Sequence, residues 1–113
     1  MEPDAATIKK VQELQTVEQN LQNTVMQKQV FQIEANELLN ALAEVARSKD
    51  EVYKVMSSIM LRTEKEELIK ELTEKKRVLE LRVAVVEKQE KTLSERARKL
   101  HEEVSAALKE KKK

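Results

Sequence analysis

The fold is decided by the stretch VYKVMSSIMLR, which occupies residues 52–62 and departs in pattern from the rest of the chain. Apolar residues here stop following helical spacing and cluster together, and the Val, Tyr and Ile residues among them favour a pleated backbone. The pair Ser57 and Ser58 lies in the middle, where a two-residue turn would reverse the chain. We therefore predict a short β-hairpin over residues 52–62, between two segments with helical patterns.

The composition favours long helices over a globular core. Of the 113 residues, 38% are charged and only 2% are aromatic, and glycine is absent. The single proline is Pro3, so only the hairpin stretch can interrupt a helix. Cysteine is absent, which excludes disulfides and thiolate metal sites. No apolar run approaches the roughly 20 residues that a membrane span needs, and no signal peptide is visible. These features predict a cytoplasmic protein without a membrane partner.

The segment before the hairpin is predicted to form a helix over residues 5–48. Asp4 follows Pro3 and is suited to cap the start of this helix, while no glycine is available to cap its end. Apolar residues recur with 3-4 spacing, as in a coiled coil, and two polar residues interrupt them. This first seam consists of Leu14, Val17, Leu21, Thr24, Lys28, Phe31, Ala35, Leu38, Leu42 and Val45.

The segment after the hairpin is predicted to form a second helix over residues 63–110. Thr63 and Glu66 match a capping box, in which the Thr63 hydroxyl accepts a hydrogen bond from the Glu66 amide. Lys76 and Glu90 are polar seam residues that weaken packing and help to fix the register. The lysine-rich residues 109–113 are expected to fray. The second seam consists of Ile69, Leu72, Lys76, Leu79, Val83, Val86, Glu90, Leu93, Ala97, Leu100, Val104 and Ala107.

A reversal at the hairpin makes the two helices antiparallel, so that their seams can pack together. We predict an all-α-dominated fold, a long antiparallel coiled-coil helical hairpin with a short β-hairpin between the helices. A continuous helix in a parallel dimer is the alternative, and it requires helix through residues 52–62.

The hairpin is predicted to be the oligomer interface, because a lone two-stranded hairpin is marginal in water and has two unpaired edges. A turn at Ser57 and Ser58 would place Val52, Met56, Ile59 and Leu61 on one face, and Tyr53, Val55 and Met60 on the other. Both faces are then partly apolar. The predicted interface residues are Val52, Tyr53, Val55, Met56, Ile59, Met60 and Leu61.

No catalytic constellation is visible, so we expect neither an enzyme nor a cofactor or metal site. The only histidine is His101, and no glycine-rich phosphate loop is present. The adjacent acids Glu66-Glu67 and Glu102-Glu103 diverge on a helix surface and indicate a charged face. Basic runs are interleaved with acids and have no aromatic residue to stack on a base, so we expect no nucleic-acid partner.

Six segments are similar to a known family: Gln27-Lys28-Gln29, Val52-Tyr53-Lys54, Ile59-Met60-Leu61-Arg62, Lys65-Glu66-Glu67-Leu68, Leu79-Glu80-Leu81-Arg82 and Glu87-Lys88-Gln89-Glu90. With them, and with one short hairpin between two long helices, the chain resembles the prefoldin family and its archaeal β-type subunits. The likeness extends over nearly the whole chain and implies a single prefoldin-like domain over residues 1–113. One departure is Ser57, which lies where the family usually has a glycine.

The resemblance implies an ATP-independent co-chaperone, a holdase that binds unfolded polypeptides and delivers them to a group II chaperonin. The family assembles as a hexamer of two α-type and four β-type subunits, whose hairpins form a β-barrel platform. Clients bind at the ends of the coiled coils. In this chain those ends comprise Ile8, Val11, Leu14, Val104, Ala107 and Leu108.

Two alternatives stay open from the residues alone. The apolar residues at the coiled-coil ends could simply close the last heptads instead of contacting a client. The chain could also be a structural coiled-coil scaffold that binds one defined protein partner. A chaperone should suppress the aggregation of unrelated denatured proteins, whereas a scaffold should not.

Overall fold

A computed structural model describes residues 4–111 of the chain. Helix α1 spans Ala5–Arg47, strand β1 spans Val52–Met56, strand β2 spans Ile59–Thr63, and helix α2 spans Lys65–Lys111. The two strands form an antiparallel hairpin, so the predicted fold class is confirmed and a continuous helix is excluded. Pro3 and the last two lysines of the predicted fraying tail lie outside the described residues.

Helix α1 begins with the predicted Asp4 cap. The Asp4 Oδ1 atom accepts a hydrogen bond of 2.8 Å from the Thr7 amide, and the Asp4 carbonyl accepts one of 3.0 Å from the Ile8 amide. A helix start leaves its first amides without intrahelical acceptors, and the aspartate side chain satisfies one of them. Thr7 is also the most buried polar residue in the described part of the chain, at 3% exposure.

Helix α1 ends at Arg47, one residue before the predicted end, and a lysine from α2 satisfies its last carbonyls. The Lys65 ammonium donates hydrogen bonds of 2.9 Å to the Ala46 carbonyl and 3.0 Å to the Ser48 carbonyl. A cation at this position also interacts favourably with the negative end of the helix dipole. This contact performs the role that a glycine cap has in many helices.

Helix α2 begins at Lys65, two residues after the predicted start at Thr63, and the predicted capping box was wrong. Thr63 is the last residue of β2 and pairs with Val52 across the hairpin. The strand ladder therefore holds Thr63 in an extended conformation. The Glu64 carbonyl instead accepts the first helical bond, 3.0 Å from the Leu68 amide.

The chain forms two compact units, one of residues 1–28 with 85–113 and one of residues 29–84. In the first unit Lys10 pairs with Glu103 and Lys28 pairs with Glu90, so the two helical segments run antiparallel there. The most buried apolar residues of this unit, only 4% to 7% exposed, are Val17, Val86 and Leu100.

The second unit contains the hairpin and the helical segments that flank it. Its most buried residues are Val52, Leu68 and Leu79. The Lys65 bond to Ala46 shows that the end of α1 and the start of α2 adjoin. In both units every predicted seam residue is buried or half-buried, and the polar ones, Lys76 among them, are half-buried. The heptad assignment is therefore confirmed for both helices.

Candidate protein-interaction surfaces

The hairpin turn is formed by the predicted Ser57 and Ser58. Their φ angles are 47° and 71°, so both lie in the left-handed region. Two consecutive residues of this kind define a type I′ turn, whose twist matches that of the flanking strands. The turn places Met56 opposite Ile59 and fixes the predicted register, although neither residue of the turn is glycine.

One face of the hairpin is anchored at its base. Val52 is 9% exposed, and Lys54, on the same face, forms an ion pair of 3.3 Å with Glu71 of α2. Adjacent strand residues alternate between faces, so Met56 shares this face with Val52 and Lys54. The anchor fixes the hairpin against the start of α2 and leaves its tip uncovered.

The tip of the hairpin exposes an apolar surface, which we call the hairpin patch. Its side chains are between 42% and 68% exposed, on both faces of a two-stranded sheet. Each strand also has one edge that no other strand of residues 4–111 covers. Such an edge is a template for pairing with another strand. The hairpin patch consists of Tyr53, Val55, Met56, Ile59, Met60 and Leu61.

Six of the seven predicted interface residues thus belong to the hairpin patch. Val52 is the exception, because it packs within its own chain. Next to the patch, Glu51 accepts a hydrogen bond of 2.7 Å from the Tyr53 hydroxyl and pairs with Arg62 at 3.0 Å. The hydrogen bond to Glu51 raises the pKa of Tyr53. The phenol is therefore protonated at physiological pH, as its hydrogen bond to Glu51 requires.

The predicted client-binding residues all lie in the unit formed by residues 1–28 and 85–113. Ile8 is 45% exposed and Leu108 is 41% exposed. The other four residues are half-buried, in agreement with a role in closing the last heptads. These four are Val11, Leu14, Val104 and Ala107.

Ion pairs between the helices are one feature that was not predicted from the sequence. The ammonium of Lys28 lies 2.8 Å from a carboxylate oxygen of Glu90, and both residues are on the seam. The bond to Glu90 raises the pKa of Lys28. Closer to the chain ends, Lys10 pairs with Glu103, and Arg96 pairs with Glu13. Each charged residue of the two terminal pairs immediately precedes an apolar residue in sequence, but matching the partners requires the register between the helices.

Other kinds of site are not indicated by the described residues. Within residues 4–111 no cluster of three acidic or histidine side chains could hold a metal ion. His101 is exposed on α2, as expected for a solvated side chain. Over the same residues, neither helix has an apolar stretch long enough to cross a membrane.

Comparison with known proteins assigns the family of this chain. The sequence profile of the family described as "Prefoldin subunit" matches residues 8–111, which include both helices and the hairpin. The chain belongs to the prefoldin family. Members of the family are chaperone subunits, and the resemblance noted in the sequence is thereby confirmed.

Individual prefoldins have similar lengths and folds. The prefoldin subunit beta of Pyrococcus horikoshii is 35% identical over 98 residues, which are 85% of this chain and 84% of the relative. The prefoldin subunit beta of Thermococcus gammatolerans is 38% identical over 99 residues, or 86% and 85% of the two chains. The crystal structure of the prefoldin beta subunit from Thermococcus strain KS-1 superposes with a TM-score of 0.88 at 32% identity and covers 95% of this chain and 96% of that one.

Proposed function

We propose that this chain is the β-type subunit of an ATP-independent co-chaperone that holds unfolded polypeptides and delivers them to a group II chaperonin. The observation that carries the proposal is the match of nearly the whole chain to the prefoldin family, hairpin included. Residues 1–113 would act as a single prefoldin-like domain in the cytoplasm. The protein needs no cofactor for this role, because holding a client involves no chemical step.

Assembly through the hairpin patch is supported by its exposure. Val55 and Met60 are both 68% exposed, although apolar residues at a strand edge are usually covered. Hairpins from several subunits would close into a β-barrel platform, which removes the unpaired edges. We propose a hexamer in which four copies of this chain combine with two α-type subunits. Native mass spectrometry of the chain, alone and with an α-type subunit, measures this composition directly.

Client binding at the ends of the coiled coil is supported by Ile8 and Leu108, which are exposed in the described structure. An unfolded polypeptide has no fixed shape, so contact with it depends on general apolar burial worth roughly 25 cal/mol per Å². Each contact of this kind is weak. Several subunits that act on one client raise the effective affinity without requiring a new contact.

Aggregation assays test the proposed activity. The assembled protein should suppress the aggregation of several unrelated denatured proteins without ATP, and residues 1–11 and 104–113 should be required for this effect. A protein that protects none of them but binds one folded partner would instead be a structural scaffold.

A matched pair of variants tests the proposed client site without deleting helical residues. Ile8→Ser with Leu108→Ser should reduce the suppression of aggregation and leave the oligomer mass unchanged. Leu39→Ser with Leu81→Ser is the control, because these leucines have similar exposure, 50% and 54%, in the other unit. Equal activity in the two variants would contradict client binding at the chain ends.

A further inference from the structure

The coiled-coil end that carries the proposed client site is closed in this structure. Val11, Leu14 and Val104 are half-buried, and Leu100 is only 7% exposed. A client can reach the exposed parts of Ile8 and Leu108 in this state, but not most of the apolar surface beneath them. Full engagement of a client therefore requires the two helical segments to separate locally.

Two ion pairs oppose that separation, and we call them the terminal ion pairs. The Lys10 ammonium lies 3.7 Å from a carboxylate oxygen of Glu103, and the Arg96 guanidinium contacts the carboxylate of Glu13. Both pairs join α1 to α2, whereas most other ion pairs along the described parts of the helices join residues of one helix.

The position of each charged residue links the terminal ion pairs to the client surface. Lys10, Glu13 and Glu103 each immediately precede an apolar residue of the proposed client site: Val11, Leu14 and Val104. Arg96 likewise precedes the seam residue Ala97. Local separation of the helices that exposes these apolar residues must also break the ion pairs beside them.

We propose that the terminal ion pairs are an electrostatic latch that controls exposure of the client-binding surface. The proposal rests on the proposed function at this end of the coiled coil and adds a means of regulating it. The four side chains are between 37% and 58% exposed, so dissolved salt can screen them. A higher ionic strength shifts the latch toward the open state. A charged client segment that competes for one partner of an ion pair has the same effect.

The size of the effect follows from the exposure of the pairs. Exposed ion pairs typically contribute about 0.2 to 1 kcal/mol each, so two pairs correspond to roughly a 2- to 30-fold change in the opening equilibrium. A latch of this strength holds the end closed without preventing its opening. Stronger, buried pairs would keep the apolar surface covered from clients.

The test removes the acidic partners and retains the apolar surface. Glu13→Gln with Glu103→Gln breaks both terminal ion pairs in the full chain in its native assembly. Glu95→Gln with Glu102→Gln is the matched control, since it changes the net charge equally in the same part of the chain. Glu95 has no ion pair in the described structure, and Glu102 pairs only with Arg98 of its own helix.

Hydrogen exchange and client protection are measured at low and high salt. We call Glu13→Gln with Glu103→Gln the latch variant. At low salt, the amide hydrogens of residues 11–17 and 97–104 should exchange roughly 2- to 30-fold faster in the latch variant than in the wild type or the control. The latch variant should also suppress client aggregation more effectively. High salt should bring the exchange rates of the wild type towards those of the variant. The charge-swapped protein Lys10→Glu with Glu103→Lys, which reverses one terminal ion pair and keeps the other, should exchange more slowly than the latch variant.

Two results would overturn the proposal, and they differ in meaning. Unchanged exchange in the latch variant, with client protection intact, would show that the ion pairs do not hold this end closed. Faster exchange with no change in client protection would show that the end opens but is not the client site, which would also contradict the proposed function there.

Discussion

Introducing charge into the hairpin patch should separate assembly from folding. Val55 is 68% exposed and Ile59 is 60% exposed, on opposite faces of the hairpin. Complete burial of such a side chain is worth about 1.5 to 3 kcal/mol, so covering the exposed parts of both would contribute about 2 to 4 kcal/mol per subunit. Loss of that contribution alone weakens association roughly 30- to 700-fold.

Replacing both residues with aspartate costs more than the lost apolar burial. Each carboxylate would enter a strand interface without a charged partner, which adds a penalty of several kcal/mol. Val55→Asp with Ile59→Asp should therefore dissociate the oligomer at micromolar concentration. The helices should persist within each chain, because neither residue contributes to the seam.

Sedimentation velocity and circular dichroism provide the two readouts for this variant. The sedimenting mass should fall while the helical signal is largely retained. Leu39→Asp with Leu81→Asp is the control, because these residues are exposed to a similar extent on the helices and lie outside the patch. A double hairpin variant that keeps the full mass of the assembly would refute the hairpin patch as the assembly site.

Three further predictions concern local contacts. Ser58→Gly should stabilise the protein by about 0.5 to 1 kcal/mol in urea unfolding, because a φ of 71° is unfavourable for serine and accessible to glycine; destabilisation would contradict the left-handed turn. Lys65→Met should destabilise it by about 1 kcal/mol through loss of the cap on α1, whereas Lys70→Met, an exposed control, should have little effect. The raised pKa of Lys28 means that its bond to Glu90 stabilises the fold at neutral pH and is lost as pH rises above that pKa. The stability difference between wild type and Lys28→Gln should accordingly shrink in strongly alkaline buffer, and a constant difference would contradict the pairing.

The regular parts of the fold could be predicted because each depends on a short sequence pattern. Seam residues such as Val17 and Val86 follow from spacing alone, since a helix brings every third or fourth residue to the same face. The hairpin register follows from the two-residue turn, which leaves only one pairing for Met56 and Ile59. Neither inference needs information about distant residues.

The errors arose where a local pattern competed with a partner distant in sequence. Thr63 is suited both to cap a helix and to occupy a strand, and its pairing with Val52, eleven positions earlier, decides between them. Lys65 is ordinary in sequence, yet its ammonium caps a helix that ends well before it. The ion pairs of Lys10 and Glu13 likewise depend on how the two helices are aligned.

The buried seam and the exposed hairpin patch indicate that folding and assembly depend on different residues. The two helices share one seam, and its best-covered apolar residue, Val86, is only 4% exposed within the single chain. The hairpin has the opposite arrangement, because the residues of the hairpin patch are 42% to 68% exposed in their own chain. Partner subunits would complete the hairpin and leave the seam unchanged. In the proposed assembly, the chain could therefore expose apolar surface at the coiled-coil ends without losing its subunit contacts, since the hairpin patch and the proposed client site consist of different residues.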